Sequence, residues 1–205
     1  MLRFNKKKFI YLISPIKIDK IFYDQLIYVL KQKKVSLFQL RLKKGSFREK
    51  LIIGKKIKKI CKEFKVKFLI NDNVILAKKL DADGCHLGQN DMNIHKARKL
   101  IGDKIIGVTC HNSIKLAKIA LKNNADYLAF GAFYSTNTKK TKYKPSLDIL
   151  KKVRKITKTP IVAIGGINSN NYKKLLLNKA NLLAISGYIW KNKKLKPFEA
   201  IKELK

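Results

Sequence analysis

Two carboxylates, three cations and two turns rich in small residues carry most of the chemistry open to this chain. Asp72 and Asp91 are hard oxygen donors. They suit Mg²⁺ carried in with a diphosphate, because that ion takes one or two protein carboxylates and completes its shell with water and phosphate oxygens. Arg41, Lys43 and Lys139 supply positive donors for the same diphosphate, and an Arg fork is able to bind it through two parallel hydrogen bonds. Gly165-Gly166 and Ile185-Ser186 offer backbone N–H groups to a second, smaller anion, and glycine lets the main chain approach it closely. Two phosphorylated small-molecule substrates are the natural inference. Each feature also has a plainer reading. Asp72 fits the cap of a following helix, Gly-Gly is a common turn, and Thr136 and Thr138 in a polar loop fit a solvent-facing position.

These groups need elements that bring them to one place. Short apolar runs at Phe9–Ser14, Leu37–Leu42, Lys67–Ile70, Gly84–Leu87, Ile105–Thr109, Tyr127–Gly131, Ile161–Ile164 and Leu182–Ser186 read as strands. They are continuously hydrophobic, as strands covered on both faces of a parallel sheet must be. Between and after them, Lys20–Lys31, Phe47–Phe64, Val74–Leu80, Ile94–Ile101, Ile114–Asn123, Ser146–Ile156, Asn170–Leu177 and Phe198–Leu204 repeat apolar and basic residues at helical spacing. Eight such alternations predict a compact, single-domain (β/α)8 TIM barrel over residues 1–205, with an open doubly wound sheet as the competing arrangement. In a barrel, loops at the carboxyl ends of the strands build the site. Gln39, Arg41 and Lys43 lie at the second exit and Asn71 and Asp72 at the third. Asp91 follows the fourth strand, Thr109 ends the fifth, Thr136 to Lys139 follow the sixth, Gly165-Gly166 the seventh, and Ile185-Ser186 close the eighth.

Composition excludes several other classes. Of 205 residues, 46% are hydrophobic, enough for a packed core. Lys plus Arg number 48 against 13 Asp plus Glu, a formal charge of +35, and such an excess invites a nucleic-acid reading. Only five of those cations are Arg, however, and the lysines are spread along nearly every polar segment, whereas nucleic-acid sites concentrate Arg and aromatics on one face. No uncharged stretch approaches the ~18 residues of a membrane span. The basic start followed by Phe9–Ile16 resembles a short signal peptide, but Lys17, Asp19 and Lys20 follow without a small-residue cleavage site, so a first buried strand is expected. Three cysteines without CxxC spacing predict no disulfide framework and a cytoplasmic protein. Cys85-His86 and Cys110-His111 resemble metal-ligand pairs, but strand neighbours point to opposite faces. His95 reads as a surface helix residue.

Six segments, in order, resemble the thiamine-phosphate synthase family. They are Gln39-Leu40-Arg41-Leu42-Lys43, Ile70-Asn71-Asp72, His86-Leu87-Gly88-Gln89-Asn90-Asp91, Ile106-Gly107-Val108-Thr109, Thr136-Asn137-Thr138-Lys139 and Val162-Ala163-Ile164-Gly165-Gly166-Ile167-Asn168. The resemblance implies a transferase of thiamine biosynthesis that joins hydroxymethylpyrimidine diphosphate to a thiazole phosphate with Mg²⁺. It implies that Gln39, Arg41, Lys43, Asn71, Thr109 and Lys139 bind the pyrimidine diphosphate, with Arg41, Lys43 and Lys139 acting on its departure. It further implies that Asp72 and Asp91 hold Mg²⁺, and that Thr136, Thr138, Gly166, Ile185 and Ser186 hold the thiazole phosphate. Thr109 stands where the family usually has Ser, Ser135 where it has Pro, and the Gly166–Ser186 stretch is one residue short. The implied partners are small molecules, with neither nucleic acid nor membrane and with homo-oligomerisation left open. A TenI-like thiazole tautomerase is the related alternative, and a basic nucleic-acid-binding barrel the unrelated one.

Overall fold

The computed structural model describes residues 8–136 and 142–205. Eight parallel strands pair in sequence order and close into a barrel. They are β1 (Ile10–Ile13), β2 (Val35–Leu40), β3 (Lys67–Asn71), β4 (Gly84–Leu87), β5 (Ile105–His111), β6 (Tyr127–Gly131), β7 (Ile161–Ile164) and β8 (Leu182–Ile185). The closing contact is between β1 and β8, with Tyr11 opposite Ala184. Closure decides the choice between barrel and open sheet. The apolar run near the amino terminus is the buried strand β1.

The helices are α1 (Lys20–Leu30), α2 (Phe47–Glu63), α3 (Val74–Lys79), α4 (Ile94–Ile101), α5 (Ile114–Lys122), α6 (Asp148–Ile156), α7 (Tyr172–Leu177), α8 (Gly187–Trp190) and α9 (Pro197–Lys202). Their starts are written in the sequence. Asp19 accepts the Phe22 amide at α1, and Ser46 with Glu49 forms a reciprocal capping box at α2. Pro197 opens α9 at a position where its missing N–H costs nothing. In α2, Gly54, Ile57 and Cys61 are buried, on one stripe, while most of the lysines project outward. The turn α8 has no signature in the sequence, since four residues are too few to show a helical period.

Two cores result from strand alternation. Outward side chains such as Phe38, Phe68, Cys85 and Ile106 pack beneath the helices. Inward ones, Tyr11, Leu37, Leu69, Ile105, Tyr127, Val162 and Leu182, fill the barrel. Gly107 pairs with Tyr127 across β5 and β6, and a Cβ on residue 107 would stand 1.8 Å from the Tyr127 Cζ. The glycine of that strand is therefore the space into which the Tyr127 ring fits. Among the described residues no helix is long and apolar enough to cross a membrane.

Candidate active site

Parallel pairing brings every carboxyl-terminal strand end to one rim. At the β3 exit, Asp72 takes a left-handed backbone (φ +64°), and its amide donates to the His86 carbonyl at 2.8 Å. The next residue, Asn73, caps α3 by accepting the Leu76 amide at 2.8 Å. Asp72 is thus released from capping, and its carboxylate instead accepts a 2.5 Å hydrogen bond from Lys43 Nζ. Asp91 reaches the same place from β4. Its Oδ2 accepts the Gly88 amide at 2.7 Å, folding Gly88-Gln89-Asn90-Asp91 into a closed turn.

The two carboxyls interact directly and titrate apart. Burial would raise Asp72, but the hydrogen bonds from Lys43 and Asp91, with the Lys43 charge, hold it below the usual carboxylate range. Burial and the neighbouring Asp72 push Asp91 up, against the Gly88 amide and Lys43. Two carboxylates forced together at a half-exposed rim call for a shared proton or a cation. Their all-oxygen chemistry fits a hard divalent ion that retains water and ligand oxygens. Among the described residues no cluster of three or more His, Cys, Asp or Glu exists to make an all-protein cage.

Deeper in the barrel, Gln39 on β2 and Thr109 on β5 lie at the two ends of a row of polar side chains. Gln39 Nε2 donates to Tyr11 Oη at 2.5 Å, and Tyr11 Oη lies 2.7 Å from Tyr127 Oη. Tyr127 Oη lies 2.8 Å from His86 Nδ1, and His86 Nε2 lies 2.8 Å from Thr109 Oγ1. Cys85 faces the helices while His86 faces the barrel, so this pair straddles the wall as strand alternation requires. Strand β5 runs two residues past Thr109 through a register shift, and His111 stacks on Tyr143 with ring centres 4.2 Å apart. Asn71 ends β3 opposite His86.

The other side of the rim is a close-packed loop cluster. Gly165 (φ +104°) and Gly166 (φ +62°) have backbones that L side chains rarely adopt. Any Cβ there would collide with Ala132 and with Ser135 and Tyr134, respectively. Gly165 and Gly166 therefore lie directly against the segment leading into Thr136. The Ile185 side chain, at the end of β8, is buried in the outer core. Ser186 begins the short α8, and such an extra helix after the eighth strand is a recurrent phosphate-site element in these barrels. Ser14 ties this side to the cationic one. It accepts the Arg41 amide at 2.9 Å through Oγ, and its carbonyl accepts Ser186 Oγ at 3.2 Å. Thr138 and Lys139 lie outside the described residues.

Sequence reasoning gives no role to Ser14, Tyr11 and Tyr127, and reads His86 as a candidate metal ligand and as part of a family-like segment without a role of its own. The one signal for them is polar character at inward or terminal positions of otherwise apolar strands.

Fold and rim together define a (β/α)8 barrel of the kind whose ligands sit at the carboxyl-terminal strand ends. The family model described as thiamine monophosphate synthase matches residues 10–189. A thiamine-phosphate synthase of Pelagibacter ubique (strain HTCC1062) is 70% identical over 200 residues, 97% of each chain. One from Erythrobacter litoralis (strain HTCC2594) is 39% identical over 186 residues, 88% of this chain and 87% of that one. The structure of a thiamine phosphate pyrophosphorylase from Pyrococcus furiosus superposes with a TM-score of 0.85 at 29% identity, covering 97% of this chain and 95% of that one. This chain belongs to the thiamine monophosphate synthase family.

Proposed function

We propose that this chain is a transferase that joins hydroxymethylpyrimidine diphosphate to a thiazole phosphate, giving thiamine phosphate and free diphosphate. The observation that carries the reading is the Lys43–Asp72–Asp91 cluster standing on the same rim as the Gly165-Gly166 loop. One half suits a diphosphate with its counter-ion and the other a monophosphate. In the reaction the bond between the pyrimidine methylene carbon and the diphosphate oxygen breaks, and the electron pair leaves with diphosphate. The methylene cation so formed is captured by the thiazole nitrogen, making a C–N bond. No strong base is required, so the work is positioning and stabilisation of departing charge.

Arg41, Lys43 and Lys139 take the growing negative charge of the diphosphate. Gln39, Asn71 and Thr109 hold the pyrimidine substrate between them. Asp72 and Asp91 hold Mg²⁺, which when bound neutralises the leaving group. Thr136, Thr138, Gly166, Ser186 and the Ile185 main chain hold the thiazole phosphate. The ligands are small molecules in a cytoplasmic enzyme formed by one catalytic domain, and neither nucleic acid nor membrane enters the reading. Incubation of purified protein with both substrates and Mg²⁺ tests it, and thiamine phosphate is the expected product. Isomerisation of the thiazole without coupling would make the chain a tautomerase instead. Tight nucleic-acid binding with a steep salt slope, and no coupling, would make it a binding barrel.

A further inference from the structure

Five side chains form one hydrogen-bonded row across the barrel interior, Gln39–Tyr11–Tyr127–His86–Thr109, and the steps above use only its two ends. The row has a direction, because each phenol has one proton to give. Tyr11 accepts from the Gln39 amide, so its own proton passes toward Tyr127. The proton of Tyr127 then goes to His86 Nδ1, which must be an acceptor. The imidazole proton therefore sits on Nε2 and is donated to Thr109 Oγ1. Thr109 is left with its own O–H to give elsewhere, and Gln39 with Oε1 to accept elsewhere.

The row is held rigidly. Tyr11 and Tyr127 pack edge to face with ring centres 5.6 Å apart, and His86 stacks on Tyr127 at 5.6 Å with ring planes 13° apart. Both tyrosines are almost wholly buried, and burial pushes both phenols well above the usual tyrosine range, keeping them as neutral donors. Gly107 supplies the volume for the central ring. Polar groups in such a low-dielectric interior are costly unless each is satisfied, so the polarity of one member constrains its neighbours.

We propose that Tyr11, Tyr127 and His86 are positioning residues that lock Gln39 as an acceptor and Thr109 as a donor toward a single ligand, the pyrimidine substrate. The proposal rests on the synthase reading for the identity of that ligand. It assigns the tyrosines and the histidine a role in presenting the polarity of the site, with no contact to the reacting atoms.

Tyr127→Phe removes the central hydroxyl and keeps the ring, and Tyr11→Phe cuts the row nearer Gln39. With either variant folded to a wild-type far-UV spectrum, kcat/KM for the pyrimidine diphosphate should fall about tenfold, the loss of roughly one buried hydrogen bond. The KM for thiazole phosphate should stay within about twofold on the same ground. Thr109→Val should cost less in the Tyr127→Phe background than alone, whereas Asp91→Asn should cost the same in both. Nitrogen-15 NMR of histidine-labelled protein gives a readout independent of turnover. His86 should be a single Nε2–H tautomer in the wild type and a mixture in Tyr127→Phe. An Nδ1–H wild type, a tautomer unmoved by Tyr127→Phe, or equal losses for both substrates with additive double variants would overturn the relay. A wild type with the expected tautomer but no coupling activity would instead sink the synthase reading, and with it the substrate role of the row.

Discussion

Lys43 reaches from the exit of β2 to that of β3 and places its Nζ 2.5 Å from the Asp72 carboxylate. Both side chains are partly exposed, 47% and 32%, and such a pair adds little to stability. Its consequence is electrostatic. It keeps Asp72 ionised beside the proton-holding Asp91, so that carboxyl oxygens and a cation stand together on the rim. That arrangement separates loss of function from loss of fold.

Asp72→Ala and Asp91→Ala should each lower kcat by about 10²–10³, the size seen when one preorganised electrostatic group is removed. Melting temperature should change by less than about 3 °C, because neither carboxylate supports the helix cap or the core. Steady-state assays with a Mg²⁺ titration, run beside thermal melts, check both halves. Wild-type-like turnover in both variants would remove the metal site from the account.

The pH dependence follows from the opposite shifts of the two carboxyls. Asp91 is raised in the folded state, so the fold binds its proton more tightly than the unfolded chain does. That difference costs stability above the folded value and is relieved as pH falls through it. Asp72 is lowered, so it contributes stability that is present above its unfolded value and lost as pH falls through its folded one. Metal-free Asp91→Asn should therefore melt above the wild type at pH 7, and the gap should close toward acid pH. Mg²⁺ affinity of the wild type should weaken on acidification at a pH above the ordinary carboxylate range, as protons compete for Asp91.

Gly107→Ala should be among the most damaging single-methyl changes in the chain. The added carbon would lie 1.8 Å from the Tyr127 Cζ, inside a filled barrel and against a ring with no free direction. A loss of about 3 kcal/mol or more is expected for such overpacking, or roughly 6–12 °C in melting temperature for a domain of this size. Tyr127→Ala should cost less in the Gly107→Ala background than in the wild type, a non-additivity readable by denaturant titration.

The +35 charge has a kinetic consequence. Lysines spread over the surface raise the local concentration of anionic substrates without touching them. The value of kcat/KM for either phosphorylated substrate should fall severalfold between about 20 and 300 mM salt, with kcat little changed, because screening shortens the reach of the field. Salt-independent kcat/KM would leave the charge without a part in encounter.

The local rules made much of this molecule legible. Continuous apolar runs marked the strands because both faces of the barrel wall are covered, and the polar residues at their ends marked the rim. The boundaries moved where side chains compete with backbone. The segment before Tyr172 is not helix because Asn168, Asn170 and Asn171 satisfy one another in a loop. Thr109 does not end β5 because a register shift carries the strand on to His111. The Tyr11–Tyr127 pair spans 116 residues, and no local pattern announces a contact at that separation. Asp72 and Asn73 show the same limit on a smaller scale. Either suits a cap by type, and only the left-handed turn at Asp72 assigns the cap to Asn73 and the carboxylate to Lys43.

Phosphorus NMR of the wild-type protein with hydroxymethylpyrimidine diphosphate, thiazole phosphate and Mg²⁺ follows the central claim directly. One free diphosphate should appear for each thiamine phosphate formed, both should stop on chelation of the metal, and both should resume when Mg²⁺ is restored. Diphosphate released without thiamine phosphate, or coupling that proceeds unchanged after chelation, would contradict the account.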